Sequence, residues 1–367
     1  MATEFFGFIE QQSSYENNIL SALKESQEKD IPLLLWGAGN VGNKAYEYLL
    51  NKEIQVSDVF VGDKQPNQIF HGKTVLSFDE ACLKHKNFNI FVARILRDEN
   101  NDSILSAKNV TGVYHLEPAL FFEESDFDIA YFMKNKEAFV WTYENLADNL
   151  SKEGFIAFIN ARISKTYEHI KKFYCKDKYF CDDIFSYRDN EVYVDCGVFR
   201  STTIQSFIDA LHSNSITTYD YIYVFESDKE KFEDLLELSS RVEKLHNINK
   251  RAWSEKSILA YEPTAVSNSL YIKKEESIAT DTVDNILNGN KATLIKTSMG
   301  GSSLEAIKGA KQTIIEHKPK LTATVYSKAD EMITLPQYIK SLVPEYKIYF
   351  RFHTYSTLET VLYAVCK

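Results

Sequence analysis

The chain has 367 residues, 44% hydrophobic and 26% charged, which suits two ordinary globular domains better than one. Its 52 acidic against 42 basic residues leave a net charge of −10, which argues against a nucleic-acid partner or an anionic membrane surface. No run of about 18 apolar residues is present, so no membrane-spanning helix is expected.

The first residues, MATEFFGFIEQQ, carry acids and lack the basic-then-apolar pattern of a secretory signal. The five cysteines (Cys82, Cys175, Cys181, Cys196, Cys366) form no CxxC pair, which fits reduced thiols in a cytoplasmic setting and no zinc site. Residues 1–30 read as a helical lead-in, with Ile19, Leu20 and Leu23 at helical spacing. A buried-strand run at 32–36 leads into Gly37-Ala38-Gly39-Asn40-Val41-Gly42, and a helix-like stretch follows from Lys44 to Leu50. A second strand at 56–61 ends at Gly62-Asp63, about twenty residues after the last glycine, where an acid can meet a ribose hydroxyl. Strands at 89–93 and 110–116 continue the alternation.

This is a small Rossmann-like unit over 1–125 with a GxGxxG turn. Gly37, Gly39, Gly42 and Asp63 are its candidate ligand residues, for a nucleotide or sugar nucleotide whose phosphate would meet the helix amides. The alternative is a glycine turn kept for packing. No Ser-Tyr-x-x-x-Lys pattern lies nearby, so dehydrogenase chemistry is not expected. Residues 126–178 are rich in helix formers and aromatics and read as a helical connector.

From 179 to 367 strand and helix alternate again. A strand at 192–195 ends in Asp195-Cys196-Gly197, followed by Ile204, Phe207, Ile208 and Leu211 at helical spacing. Further strands are expected at 221–226, 293–296, 321–326, 347–352 and 359–365, with helices at 229–245, 303–317 and 335–342, the last with a proline in its first turn. No helix separates the last two strands, so they must pair as an antiparallel hairpin through 353–358. A parallel sheet ending in such a hairpin is the S-adenosylmethionine-dependent methyltransferase fold. The fold class is therefore α/β, a methyltransferase-like Rossmann sheet preceded by a smaller Rossmann-like domain.

Five stretches in order carry a resemblance to a named family. They are KYFCDDIFSYRDNEVYVDCGVF, IYVFESDKEKFEDLLEL, ATDTVDNIL, IKTSMGGSSLEAIKGAKQTIIEHKPKL and YIKSLVPEYKIYFRFHTYSTLETVLYA. Over about 162–364 the chain resembles the FkbM-type methyltransferases. The resemblance implies that Asp195 and Gly197 hold the methionine end of S-adenosylmethionine and that Glu226 accepts its ribose hydroxyls. It also implies modification of a sugar or glycan; the partners open to the chain besides its substrate are a second copy of itself or, for a module without catalysis, an active paralogue.

The sequence departs from that pattern in three loops. Ser201 and Thr202 stand where a glycine and an acid are expected, Ser298, Gly300 and Ser303 where acids are, and Ser327 where a histidine is. A sugar hydroxyl needs a base or a metal to lose its proton, and His353 and Glu359 on the terminal hairpin are the replacements the sequence offers, although a lone histidine in an aromatic hairpin is more often structural. Three functions follow: an O-methyltransferase with an altered base, a ligand- or partner-binding module without catalysis, or a nucleotide-sugar enzyme working from the GxGxxG domain.

Overall fold

Short apolar runs closed by glycine or polar turns become parallel strands in both halves of the chain. The computed structural model describes residues 2–9, 14–62, 64–96, 102–122, 127–198, 202–260 and 277–366. They fall into two units, one of Met1–Lys134, Gly154–Tyr174 and Thr354–Leu358, the other of Asn135–Glu153, Cys175–His353 and Glu359–Lys367. The stretch read as a connector is thus divided, 135–153 belonging to the second unit and 154–174 to the first.

The first unit is built on strands β1 (Leu33–Trp36), β2 (Asp58–Val61), β3 (Leu76–Ser77), β4 (Phe88–Val92) and β5 (Val110–His115), in the order β3-β2-β1-β4-β5 with every pairing parallel. Alternate side chains of a strand face opposite ways. Leu33 and Leu35 accordingly join Leu23, Ala45 and Leu49 on one side, while Leu34 and Trp36 join Ala81, Phe88 and Leu96 on the other. A strand covered on both faces must be apolar throughout, which is why LLLW shows no polar alternation.

The second unit holds β6 (Val192–Cys196), β7 (Tyr221–Phe225), β8 (Leu245–Ile248), β9 (Leu294–Thr297), β10 (Lys320–Thr324), β11 (Lys347–Phe352) and β12 (Thr360–Val365), in the order β8-β7-β6-β9-β10-β12-β11. The first five are parallel, and β12 runs antiparallel to both β10 and β11. This is the doubly wound sheet with a terminal hairpin expected from the sequence.

Three details differ from the sequence reading. The helix expected at 229–245 ends at Leu238, and Leu245–Ile248 forms the edge strand β8, whose polar His246 and Asn247 hide it from a search for apolar runs. The helix expected at 303–317 is two helices, Ser303–Gly309 and Lys311–His317. A Cβ on Gly309 would lie 1.9 Å from the Trp253 carbonyl oxygen, so only glycine lets these backbones meet. Finally, the helix expected at 335–342 begins a turn earlier, at Glu331, and carries Pro336 in its interior. The buried Met332, Ile333, Leu335 and Ile339 hold it helical despite the missing amide donor.

Candidate functional site

Parallel strands end on one edge of a sheet, and in this fold ligands bind beyond that edge. The carboxyl ends of β6, β7, β9 and β10 deliver Gly197, Glu226, Ser298 and Ser327 there, and the antiparallel hairpin brings His353 and Glu359 to the same edge.

Asp195 is fully buried and spoken for. Its Oδ1 accepts from Lys296 Nζ at 2.8 Å and its Oδ2 from the Tyr193 hydroxyl at 2.8 Å. Lys296, also fully buried, spends a second proton on the Gly197 carbonyl at 2.8 Å, and the Tyr179 ring lies 5.0 Å from its Nζ. Through Lys296, Asp195 is tied to the Gly197 turn. Gly197 has φ +88°, and a Cβ there would sit 2.7 Å from the Ser298 carbonyl oxygen. Glycine is required at this turn by the chain's own close approach.

Glu226 is buried at the end of β7, with one oxygen accepting from the Asp228 amide at 2.8 Å. Burial pushes its carboxyl above the usual range. An acceptor so placed has the chemistry to meet a pair of ribose hydroxyls, while each Asp195 oxygen already accepts one bond from within the protein.

His353 does not stand free as a base. It is buried, with Nδ1 bonded to the Cys175 carbonyl at 2.7 Å and Nε2 to the Tyr363 hydroxyl at 2.8 Å. Because a carbonyl only accepts, Nδ1 donates and Nε2 takes the Tyr363 proton. Tyr363 in turn accepts from the Tyr179 amide at 2.9 Å. Both nitrogens are consumed, and burial pushes the ring down to about 3. His353, one of the two bases the sequence offers, thus has both ring nitrogens bonded within the protein.

Glu359 is partly exposed and lies 3.4 Å from Lys178. It holds φ +66°, an unusual conformation for a residue with a Cβ. Around it, Tyr179 donates to Ser298 Oγ at 3.1 Å, and Tyr326 lies within the fields of Lys178, Tyr179, Glu359 and Glu331. Ser303 is turned inward onto the Thr324 carbonyl at 3.3 Å, and Gly300 and Gly301 both have positive φ. Thr202 opens a helix with its side chain exposed. Asp63 and Ser201 lie outside the described residues.

One acid escaped the sequence reading. Glu331 is buried, with Oε2 on the Ser327 amide at 2.9 Å and the Lys328 amide at 3.1 Å, while Oε1 and the neighbouring Ser327 Oγ have no partner. Burial lifts it to about 7, the two amides pulling the other way. An acid at a helix start normally reads as a solvated first-turn residue, and nothing local marks it as facing inward. Among the described residues no cluster of three metal-ligating side chains occurs.

In the first unit, a Cβ on Gly37 would meet the Ala93 carbonyl oxygen at 2.4 Å, and one on Gly42 the Gly37 carbonyl oxygen at 2.3 Å. These two glycines are needed for strand and helix to pack. A Cβ on Gly39, the residue before the helix Asn40–Asn51, would meet nothing within 4 Å.

No family model and no curated protein matches the chain. Among solved structures, a methyltransferase FkbM from Methylobacillus flagellatus KT aligns over 96% of this chain and 99% of its own, with a TM-score of 0.67 and 20% identity. The chain has the FkbM methyltransferase fold. A Methanococcus jannaschii fibrillarin (TM-score 0.32, 10% identity, 50% of this chain and 70% of that one) is also similar. So is a Streptococcus mutans methyltransferase in complex with SAH (0.31, 8%, 51% and 93%). Both align to about half of this chain.

Proposed function

We propose that this FkbM-fold chain binds S-adenosylmethionine on its second unit and methylates a hydroxyl of a sugar or glycan. The observation that carries the reading is the gathering of Glu226, the Gly197 turn and Glu359 on one sheet edge. Bound there, the cofactor supplies a methyl group on a positively charged sulfur. Glu226 takes the ribose hydroxyls, and the Asp195–Lys296 pair holds the turn that the methionine end must pass. Glu359 receives the acceptor's proton, and Lys178 stabilises its negative charge. General-base help of this kind contributes about 10²–10⁴-fold.

A second reading, ligand or partner binding without catalysis, is favoured by the sealed nitrogens of His353 and by a 298–303 loop without an acid. Titration calorimetry decides the first point: S-adenosylmethionine should give heat with the native chain and at least about tenfold weaker binding with Glu226→Gln, an acceptor of two charge-assisted bonds being lost. No heat with the native chain sinks the methyltransferase reading. If it binds, methyl release to sugar acceptors that survives Glu359→Gln unchanged removes Glu359 as the base.

A nucleotide or sugar nucleotide at the Gly39 turn is a further reading, supported by the open space there. The five free cysteines support a reducing, cytoplasmic setting. No helix among the described residues is long and apolar enough to cross a membrane.

A further inference from the structure

Two of the five cysteines lie six positions apart, at 175 and 181, on the strap of the second unit that leads into β6. The strap is pinned at both thiols. The Cys175 amide donates to the Phe352 carbonyl at 2.7 Å, and the Cys175 carbonyl accepts from His353 Nδ1 at 2.7 Å. The Cys181 carbonyl accepts from the amides of Ile184 at 3.1 Å and Phe185 at 2.9 Å. Between them the chain turns back on itself, with the Lys178 amide on the Lys176 carbonyl at 3.0 Å and Tyr179 at φ +71°.

The turn brings both sulfurs onto one residue, Asp177. Cys181 Sγ lies 2.8 Å from the Asp177 carbonyl, and the Asp177 amide donates to the Cys175 sulfur. The single Cys181 proton is shared between that carbonyl and Cys175, so the two thiols are in hydrogen-bond contact. Sulfurs already in contact have only a short gap to close to a bond of about 2.05 Å.

The two thiols differ in the way such chemistry needs. Cys175 is half-buried and open to a small oxidant, whereas Cys181 is buried beneath it. The hydrogen bonds from Cys181 and the Asp177 amide hold the Cys175 thiol below the ordinary range, against the effect of burial. Burial holds those of Cys82, Cys196 and Cys366 above it. A thiolate is the nucleophile, and a neighbouring thiol diverts its first oxidation product into a disulfide.

We infer that Cys175 and Cys181 form a reversible oxidation site, in which Cys175 attacks a hydroperoxide and Cys181 closes a disulfide onto it. With hydrogen peroxide, the Cys175 thiolate takes one oxygen, the O–O bond breaks, and hydroxide leaves with the thiol's proton as water. Cys181 then attacks the sulfenic sulfur, the S–S bond forms, and the hydroxyl leaves with the Cys181 proton as a second water. The thiols lose two electrons, the peroxide gains them, and a dithiol reverses the change. The disulfide would close around Tyr179, whose hydroxyl donates to Ser298 Oγ, but the inference rests on the thiols alone and not on methyl transfer.

Mass spectrometry of the full chain after brief hydrogen peroxide treatment, alkylation and trypsin tests it. Trypsin cuts after Lys176 and Lys178, so the two thiols leave on separate peptides. Oxidation should join these peptides, lighter by two hydrogens, and dithiothreitol should part them. Before oxidation, iodoacetamide at pH 7 should label Cys175 at least about tenfold faster than Cys82 or Cys366. In Cys181→Ser, with an unchanged circular dichroism spectrum, the reaction should stop at a Cys175 sulfenic acid that dimedone captures. Cys175 labelled no faster than Cys82 overturns the inference. So does a native chain in which Cys175 passes to sulfinic acid without the link, or in which peroxide joins other cysteines instead; these outcomes need no variant to fold.

Discussion

Replacing Lys296 by methionine keeps most of its volume and removes its charge. In the native chain Lys296 and Asp195 are both fully buried, and the ammonium serves two acceptors at 2.8 Å, the Asp195 carboxylate and the Gly197 carbonyl. The variant leaves a buried carboxylate with only the Tyr193 hydroxyl. Removing one partner of a buried pair costs about 3–5 kcal/mol, whereas replacing both by neutral groups can be close to neutral. For a domain of this size that is a fall of roughly 6–20 °C in Tm, read by circular dichroism melting. Adding Asp195→Asn to Lys296→Met should recover more than half of the loss. A single variant costing under about 1 kcal/mol, or a double variant with no recovery, would refute the buried-pair argument. Asp195→Asn weakening S-adenosylmethionine with no loss of Tm would show instead that Asp195 touches ligand.

The folded value of Glu331, about 7, lies above its ordinary 4.5, so its contribution to stability is complete below about pH 4.5 and lost as pH rises through 7, about 3 kcal/mol in all. Urea unfolding at pH 5 and pH 8 should show this slope in the native chain and not in Glu331→Gln; equal slopes count against it. For His353 the sign reverses: its depressed value of about 3 gives stability that is complete above pH 6.5 and lost on acidification, about 5 kcal/mol. Its ring resonances should stay unshifted from pH 8 to 5 by NMR, and a midpoint above 6 contradicts the sealed arrangement. Gly42→Ala should cost about 1–3 kcal/mol by overpacking against the Gly37 carbonyl. Gly39→Ser, into open space at a helix N-cap, should stay within about 0.5 kcal/mol, and similar losses for the two would mean that Gly39 too is a packing residue.

Within the candidate site, legibility followed the range of the interaction. An acid closing a buried strand, as at Glu226, and a glycine two residues after Asp195 are local patterns visible in the sequence. Local patterns did not show that Asp195 would be sealed, because its partner lies 101 residues away on β9. The same holds for His353, whose acceptor carbonyl belongs to Cys175, 178 residues earlier. Glu331 fell before the helix expected at 335–342, and its inward position depends on the loop amides of Ser327 and Lys328 that fold onto it.

What the sequence by itself determined was the alternation of strands and helices, the antiparallel closing hairpin and the edge on which a site must lie. These follow from side-chain periodicity and turn residues, which act over a few positions. What only the tertiary structure decided was which polar groups remain available to a ligand. The register between β6 and β9 puts Lys296 opposite Asp195, and the packing of β1 against β4 makes Gly37 and Gly42 structural while leaving Gly39 open. Availability is a property of pairs, and pairs distant in sequence are set by register and packing.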